Sequence, residues 1–334
     1  MINNWISKIK LNFEIVLTVL HSNSNNGLIM KQQKLKTLLA FGAIYIIWGS
    51  TYLATRYAIE TIPPLMMIGI RSLIAGIILY LISRFKSKEK IKRENIFPLF
   101  TLGAMFFLIG HGLLAWAQQY VPSGMAAVLV TPEPLWIIGI EWFFLKDTRV
   151  KLRGILGIFL GFCGVVYLVS STISGATSNN DFLGSALIIV STLSWGGGAV
   201  YSRVAHVPKS PILSSGMELI FGGTLVLIAS FIIGEPSQFH LSQVTLTSFL
   251  GLLYLIVFGS VIAFSAYIWL LGHTSVTRIS THTYVNPVIA VFLGWLIANE
   301  QITTALIVAT ALIIISVYLV LNDQYRDRKN QPSE

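Results

Sequence analysis

IIWGSTYLATR (residues 46–56) and LSWGGGAVYSR (193–203) are two versions of one pattern, and their relation decides the fold. Trp48-Gly49, with Arg56, Pro64 and Gly76, returns 147 positions later as Trp195-Gly196, Arg203, Pro211 and Gly223. Pro134, Trp142 and Asp147 are echoed 153 positions later by Pro287, Trp295 and Glu300. Tryptophan occurs only 8 times in 334 residues, so a shared offset carries weight. Each copy holds five apolar segments, and an odd number sends the second copy through a membrane upside down. Inverted repeats of this kind imply a secondary transporter with its substrate site near the bilayer midplane, where the copies meet.

Working outward, the composition excludes a soluble chain: 54% of residues are hydrophobic, 11% are charged, and the mean hydropathy is +0.73. Crossing roughly 30 Å of hydrocarbon takes about 20 apolar residues. Ten segments qualify: 35–57, 64–83, 97–119, 123–145, 154–173, 182–204, 211–233, 245–271, 275–298 and 303–321. They are continuous apolar runs without period-two alternation, so helices are expected rather than a barrel. The expected architecture is an all-α integral membrane protein of ten transmembrane helices. Its first repeat is 35–173 and its second 182–321, with an extension at 1–34 and a tail at 322–334. The single cysteine, Cys163, excludes an internal disulfide and reads as packing filler.

The net charge of +9 is a topology signal rather than a nucleic-acid footprint. Lys8, Lys10, Lys31, Lys34 and Lys36 precede the first span. Later clusters are Arg84–Arg93, Lys146–Arg153, Arg203 with Lys209, and Arg326–Lys329. Only Arg56 lies near the other side, so the positive-inside rule places both termini in the cytoplasm. Residues 1–30 do not fit the repeat, and Met30 stands just before a basic cluster. They read as a dispensable extension, and deletion of 2–29 is expected to leave transport intact; loss of activity would refute this.

Within the fifth span Gly154, Gly157, Gly161 and Gly164 form one stripe that permits close helix approach. Packing inside the monomer is the plain reading, and a homodimer face the alternative. The tenth span lacks the stripe and is expected to face lipid or another apolar surface. Charges inside spans are costly, and each needs a reason.

Pro132-Glu133-Pro134 in the fourth span is the sharpest constellation. Proline lacks an N–H and clashes with the preceding turn, so the pair should open the helix. Glu133 lies ten residues below the span's start, roughly 15 Å down, where a carboxyl can exchange a proton as substrate binds. Its repeat partner, Tyr284-Val285-Asn286-Pro287, carries an amide, so two facing breaks are expected, one acidic and one neutral. The other reading of Glu133 is a hydrogen-bonded core carboxyl.

Arg71 and Glu218 hold equivalent places in the second and seventh spans, but inversion puts them in opposite halves, so direct pairing is not expected. Arg71 keeps its charge and needs a carboxylate, carbonyls, water or an anionic group of the substrate. Glu141 reads as a carboxylate snorkelling to the nearby basic loop. His111 and His282 read as core histidines or proton relays. Trp48 and Trp195 lie too deep for interface anchoring and are expected to line a cavity, their adjacent glycines making room. Trp116, Tyr267 and Trp269 lie nearer span ends, where an interfacial belt is the competing explanation. Asp147 and Glu300 are expected to cap the fifth and tenth spans. The candidate cavity set is therefore Trp48, Arg71, His111, Glu133, Trp195, Glu218, Tyr284 and Asn286. No catalytic group, metal site or cofactor is expected, because no His, Cys or acidic residues have ligand spacing.

Trp48-Gly49-Ser50, Pro64 and above all YVNPVIAVFLGWLIANE (284–300) resemble the EamA-type permeases of the drug/metabolite transporter superfamily, over about 35–321. The resemblance implies two inverted five-helix EamA repeats around a central cavity, with the fifth and tenth spans peripheral. It also implies export of amino acids, metabolites or toxic compounds, or movement of nucleotide sugars and phosphorylated sugars. Lys146-Asp147-Thr148 stands where the family usually closes the fourth span with Gly-Glu, and Glu133 between two prolines is not a general family feature.

The expected function is a secondary active exporter of small metabolites, amino acids or drug-like compounds across a bacterial inner membrane. It would work by alternating access, with the bilayer and a small-molecule substrate as partners and no nucleic acid. No Walker A motif is present, so the chain itself does not hydrolyse ATP. The alternatives are an intramembrane enzyme or lipid-processing protein, which needs clustered nucleophile, base or metal ligands, and a passive channel.

Overall fold

The computed structural model describes residues 33–86, 89–144, 152–175, 179–271, 273, 279 and 282–330. Among these residues the chain is helical and contains no strand. The principal helices are α1 (Gln33–Ala58), α2 (Pro64–Lys86), α3 (Arg93–Ala117), α4 (Ser123–Phe144) and α5 (Leu152–Gly175). The second half has α6 (Asn179–Ser202), α7 (Pro211–Ile232), α8 (Leu246–Tyr267), α9 (His282–Ala298) and α10 (Thr304–Asn330). Seven have segments long and apolar enough to cross a membrane, and shorter apolar stretches lie in α5, α9 and α10. Large apolar side chains such as Phe85, Phe159 and Ile232 face outward, as lipid contact requires.

Lipid tails are as apolar as leucine, so association between these helices depends on close packing and polar contacts. The most extensive helix pairing is α2 on α7. There a Cβ at Gly76 would lie 2.9 Å from the Gly216 carbonyl oxygen, and one at Gly223 would lie 2.9 Å from Leu73 N. Gly76 and Gly223 are repeat equivalents, so both copies give up a side chain at this crossing.

Next comes α5 on α10. Cβ atoms at Gly161 and Gly164 would strike Ser316 Oγ at 2.4 Å and Ile313 Cγ1 at 2.9 Å, and Ser316 Oγ donates to the Gly157 carbonyl at 2.7 Å. The glycine stripe is thus filled by the chain's own α10, whose apolar partner is α5.

Two expectations about helix breaks divide. In α4 the helix is interrupted by a turn at Thr131-Pro132, just before Glu133. In α9 the helix continues through Pro287, so the second expected break is absent. Irregularity appears instead in α3 and α8, which are π-helical over Ala104–Gly112 and Leu255–Ile262. π-Helical segments widen a helix and are often found where function needs displaced backbone.

Carboxylates reach across the halves to cap helices. Glu89 accepts the Lys209 and Ser210 N–H groups at the start of α7, both at 2.8 Å. Glu235 accepts Leu65 N–H at 3.0 Å and Met66 N–H at 2.8 Å at the start of α2. Helix starts expose unpaired N–H groups and a positive dipole end, and a carboxylate satisfies both.

Candidate functional site

Two aromatic nests form where a deep tryptophan meets a π-helical segment. Trp48 on α1 donates its indole N–H to the Gly259 carbonyl of α8 at 3.2 Å. Its ring centroid lies 5.4 Å from Tyr267 and 5.1 Å from His282. Trp195 on α6 packs against α3, 4.8 Å from Phe106 and 4.7 Å from His111, which also stacks on Phe107. The glycines beside each tryptophan let helices approach. A Cβ at Gly49 would lie 2.8 Å from Ile289 Cβ on α9, and one at Gly196 would lie 3.1 Å from Trp136 Cβ on α4.

Glu133 and Arg71 supply the polar chemistry. The turn at Thr131-Pro132 delivers Glu133 to the Trp195 nest, within reach of the indole. Tyr52, and Tyr267 of the Trp48 nest, lie within electrostatic range of Glu133. Arg71 on α2 donates from Nε to Ser260 Oγ at 2.8 Å, and its charge reaches His111.

At the two ends of α4, ion pairs join the halves. At one end Glu300, whose side chain is 7% exposed, pairs with Arg56. It also accepts the Ser123 N–H and hydroxyl, both at 2.8 Å, and the Gly124 N–H at 3.0 Å. At the other end Glu141, buried with its side chain 6% exposed, pairs with Arg203 just beyond α6. The eighteen residue steps from Ser123 to Glu141 put these locks about 27 Å apart. Glu133 lies between them. Arg56 near the end of α1 and Arg203 beyond α6 therefore sit at opposite ends of the bundle, so these repeat-equivalent helices run in opposite directions.

Of the residues picked out in the sequence, Trp48, Arg71, His111, Glu133 and Trp195 come together around these nests. Glu218 lies apart on α7, accepting from Ser214 Oγ at 2.9 Å. Asn286 turns its amide nitrogen toward the carbonyls of Tyr45 at 3.2 Å and His282 at 3.1 Å, tying α9 to α1. The side chain of Tyr284 lies outside the described residues, as does Asp147.

Two assignments are corrected. Glu141 does not snorkel outward; a long Arg203 reaches in to it. Glu300 caps α4 rather than α10, because chain reversal after α9 points its carboxylate back at Ser123. Of the two readings open for Tyr267, the structure favours the inner one, its ring lying 5.4 Å from Trp48. Sequence reasoning also passed over Gly259, Ser260, Tyr52, Phe106 and Phe107. The one available signal was Gly259-Ser260, a small pair inside an otherwise bulky apolar run.

A polytopic helical bundle with charged and aromatic groups buried between opposed ion pairs defines a multi-pass membrane transporter. Comparison with known proteins agrees. The description "EamA-like transporter family" matches residues 35–170 and 182–322, and the chain belongs to that family. It is 35% identical over 295 residues to "Uncharacterized inner membrane transporter YedA" of Escherichia coli (strain K12), covering 88% of this chain and 93% of the relative. It is 27% identical to "Uncharacterized transporter YoaV" of Bacillus subtilis (strain 168), covering 85% and 96%. It is 28% identical to "Protein PecM" of Dickeya dadantii (strain 3937), covering 82% and 88%. A crystal structure described only as that of a protein shares the fold with a TM-score of 0.58 at 21% identity, covering 85% of this chain and 96% of that one.

Proposed function

We propose that the protein is a secondary active exporter of small amphipathic metabolites, amino acids or drug-like compounds across a bacterial inner membrane. In this reading ten spans form two inverted five-helix repeats, with both termini in the cytoplasm. The distribution of Lys and Arg supports that orientation. The name of the E. coli relative supports the inner membrane. The partners are the substrate and the bilayer; a homodimer would use a face other than the glycine stripe, which α10 fills.

One observation carries the mechanism: an inter-repeat lock stands at each end of α4 with Glu133 between them. Alternating access needs a site sealed on one side while open on the other. Releasing Glu300 from Arg56, Ser123 and Gly124 opens the end assigned to the outside, and releasing Arg203 from Glu141 opens the cytoplasmic end. The crossing of α2 on α7 is the pivot. Glu133 couples the cycle to proton movement.

Counterflow in proteoliposomes, screened across amino acids, nucleosides and sugar phosphates, tests the reading. Accelerated uptake of one class against its own preload is expected, and no exchange with any class would refute it. A Glu133→Gln protein should bind cargo yet exchange it independently of a proton gradient; unchanged gradient dependence removes the coupling role. Recovery of chemically altered substrate would instead indicate an intramembrane enzyme.

A further inference from the structure

Arg71 presents a charge that its surroundings do not neutralise. It lies seven residues inside α2, its Nε is held by Ser260 Oγ at 2.8 Å, and no hydrogen bond engages its Nη groups among the described residues. The ion pairs found there are Arg56–Glu300, Lys92–Glu94 and Arg203–Glu141. The other buried acids do not pair with it: Glu133 forms no ion pair among the described residues, Glu218 accepts from Ser214, and Glu235 caps α2. A guanidinium inside a membrane span stays charged and is costly without a counter-charge or water.

A glycine packs against that guanidinium. Gly259 lies in the π-helical part of α8, and a Cβ there would stand 3.3 Å from Arg71 Nη2 and 3.1 Å from Thr51 Cγ2. Any side chain at 259 would crowd the guanidinium. The same glycine's carbonyl accepts the Trp48 indole N–H, so the charge and the Trp48–Tyr267 ring pair meet at one residue. A planar fork of free N–H groups matches a carboxylate in two-point contact, and the neighbouring rings match an apolar body.

We propose that Arg71 is the anion-binding residue of the transport site and that the cargo is an organic carboxylate on an aromatic or similar apolar body. The carboxylate sits on the Arg71 Nη groups and the body lies against Trp48 and Tyr267. This inference rests on the transporter reading and narrows its substrate class.

The test compares phenylacetate, phenylacetamide and phenethylamine, one ring carrying an anionic, neutral or cationic group. Their binding to the full-length protein in detergent is measured by calorimetry and thermal shift. Phenylacetate should bind at least about tenfold tighter than the other two, equivalent to roughly 1.4 kcal/mol. Arg71→Gln should abolish that preference while melting no lower than the parent without ligand, because it removes an uncompensated charge; a structural arginine would give a large loss of stability. Gly259→Ala should weaken phenylacetate binding by crowding the guanidinium, whereas Gly42→Ala, with open space around its Cβ, should not.

Tighter or equal binding of the amide or amine, no phenylacetate binding at millimolar concentration, or persistence of the preference in Arg71→Gln overturns the assignment. Binding in detergent needs no transport. A protein that fails counterflow can therefore still pass this test, and a transporter of cations would pass counterflow and fail here.

Discussion

Glu300→Ala is the sharpest perturbation of the proposed cycle, because one carboxylate closes one end of the site. In the structure it accepts two backbone N–H groups of α4 and the Ser123 hydroxyl and pairs with Arg56. Hydrogen bonds to a charged group contribute about 1.5–3 kcal/mol each when both partners are kept from water. Water satisfies much of that in the open state, and Arg56, 37% exposed, adds about 0–1 kcal/mol. A net bias of about 2–4 kcal/mol toward opening follows, roughly a 30- to 700-fold change in the closed-to-open ratio. Spin labels at positions 60 and 301, both exposed and at that end, can report it by pulsed electron resonance in a Cys163→Ser background. A long-distance population should dominate in Glu300→Ala and be minor in the parent, with a milder shift in Glu300→Gln. Identical distance distributions in a folded Glu300→Ala protein would refute the lock and the reasoning from its contacts.

At the opposite end the two partners should respond unequally. Arg203→Ala strands a buried carboxylate and should cost about 3–5 kcal/mol, whereas Glu141→Gln leaves a half-exposed arginine to water and should cost under about 1 kcal/mol; thermal unfolding in detergent distinguishes them. Glu235→Ala uncaps α2 and also strands the Ser230 hydroxyl, so a loss of about 2–3 kcal/mol is expected in the same assay. Gly161→Ala should destabilise by about 1–3 kcal/mol, since the added methyl would strike Leu135 and Ser316 at 2.4 Å. Gly42→Ala meets nothing within 4 Å and should be neutral or stabilising by up to about 1 kcal/mol; matching melting temperatures for the two glycine variants would overturn the packing argument.

Much of the site was legible in the residues. Trp48 and Trp195 stand too deep for interface anchoring, and the structure gives each a ring nest and a π-helical partner. Glu133 between prolines announced a broken helix, and the turn at Thr131-Pro132 supplies it. Pro287 misled, because a single proline removes one donor without interrupting α9. Glu141 also misled, because its depth in α4 says nothing of Arg203, 62 positions away, whose reach determines its partner.

Hydrocarbon thickness dictates how many apolar residues a span needs, and insertion leaves its mark locally along the chain. The apolar helical segments, the repeated residue pattern and the rarity of charge within those segments could therefore be read from residue order alone. Which carboxylate meets which cation or helix start could not. Glu89, Glu235 and Glu300 find their partners on helices more than a hundred positions away, and an ion pair or a cap depends on where side chains converge in space. The π-helical turns were equally hidden, since α3 and α8 there have the composition of any buried helix. Tertiary packing decided both, and with them the positions of the two locks and the unmatched charge of Arg71.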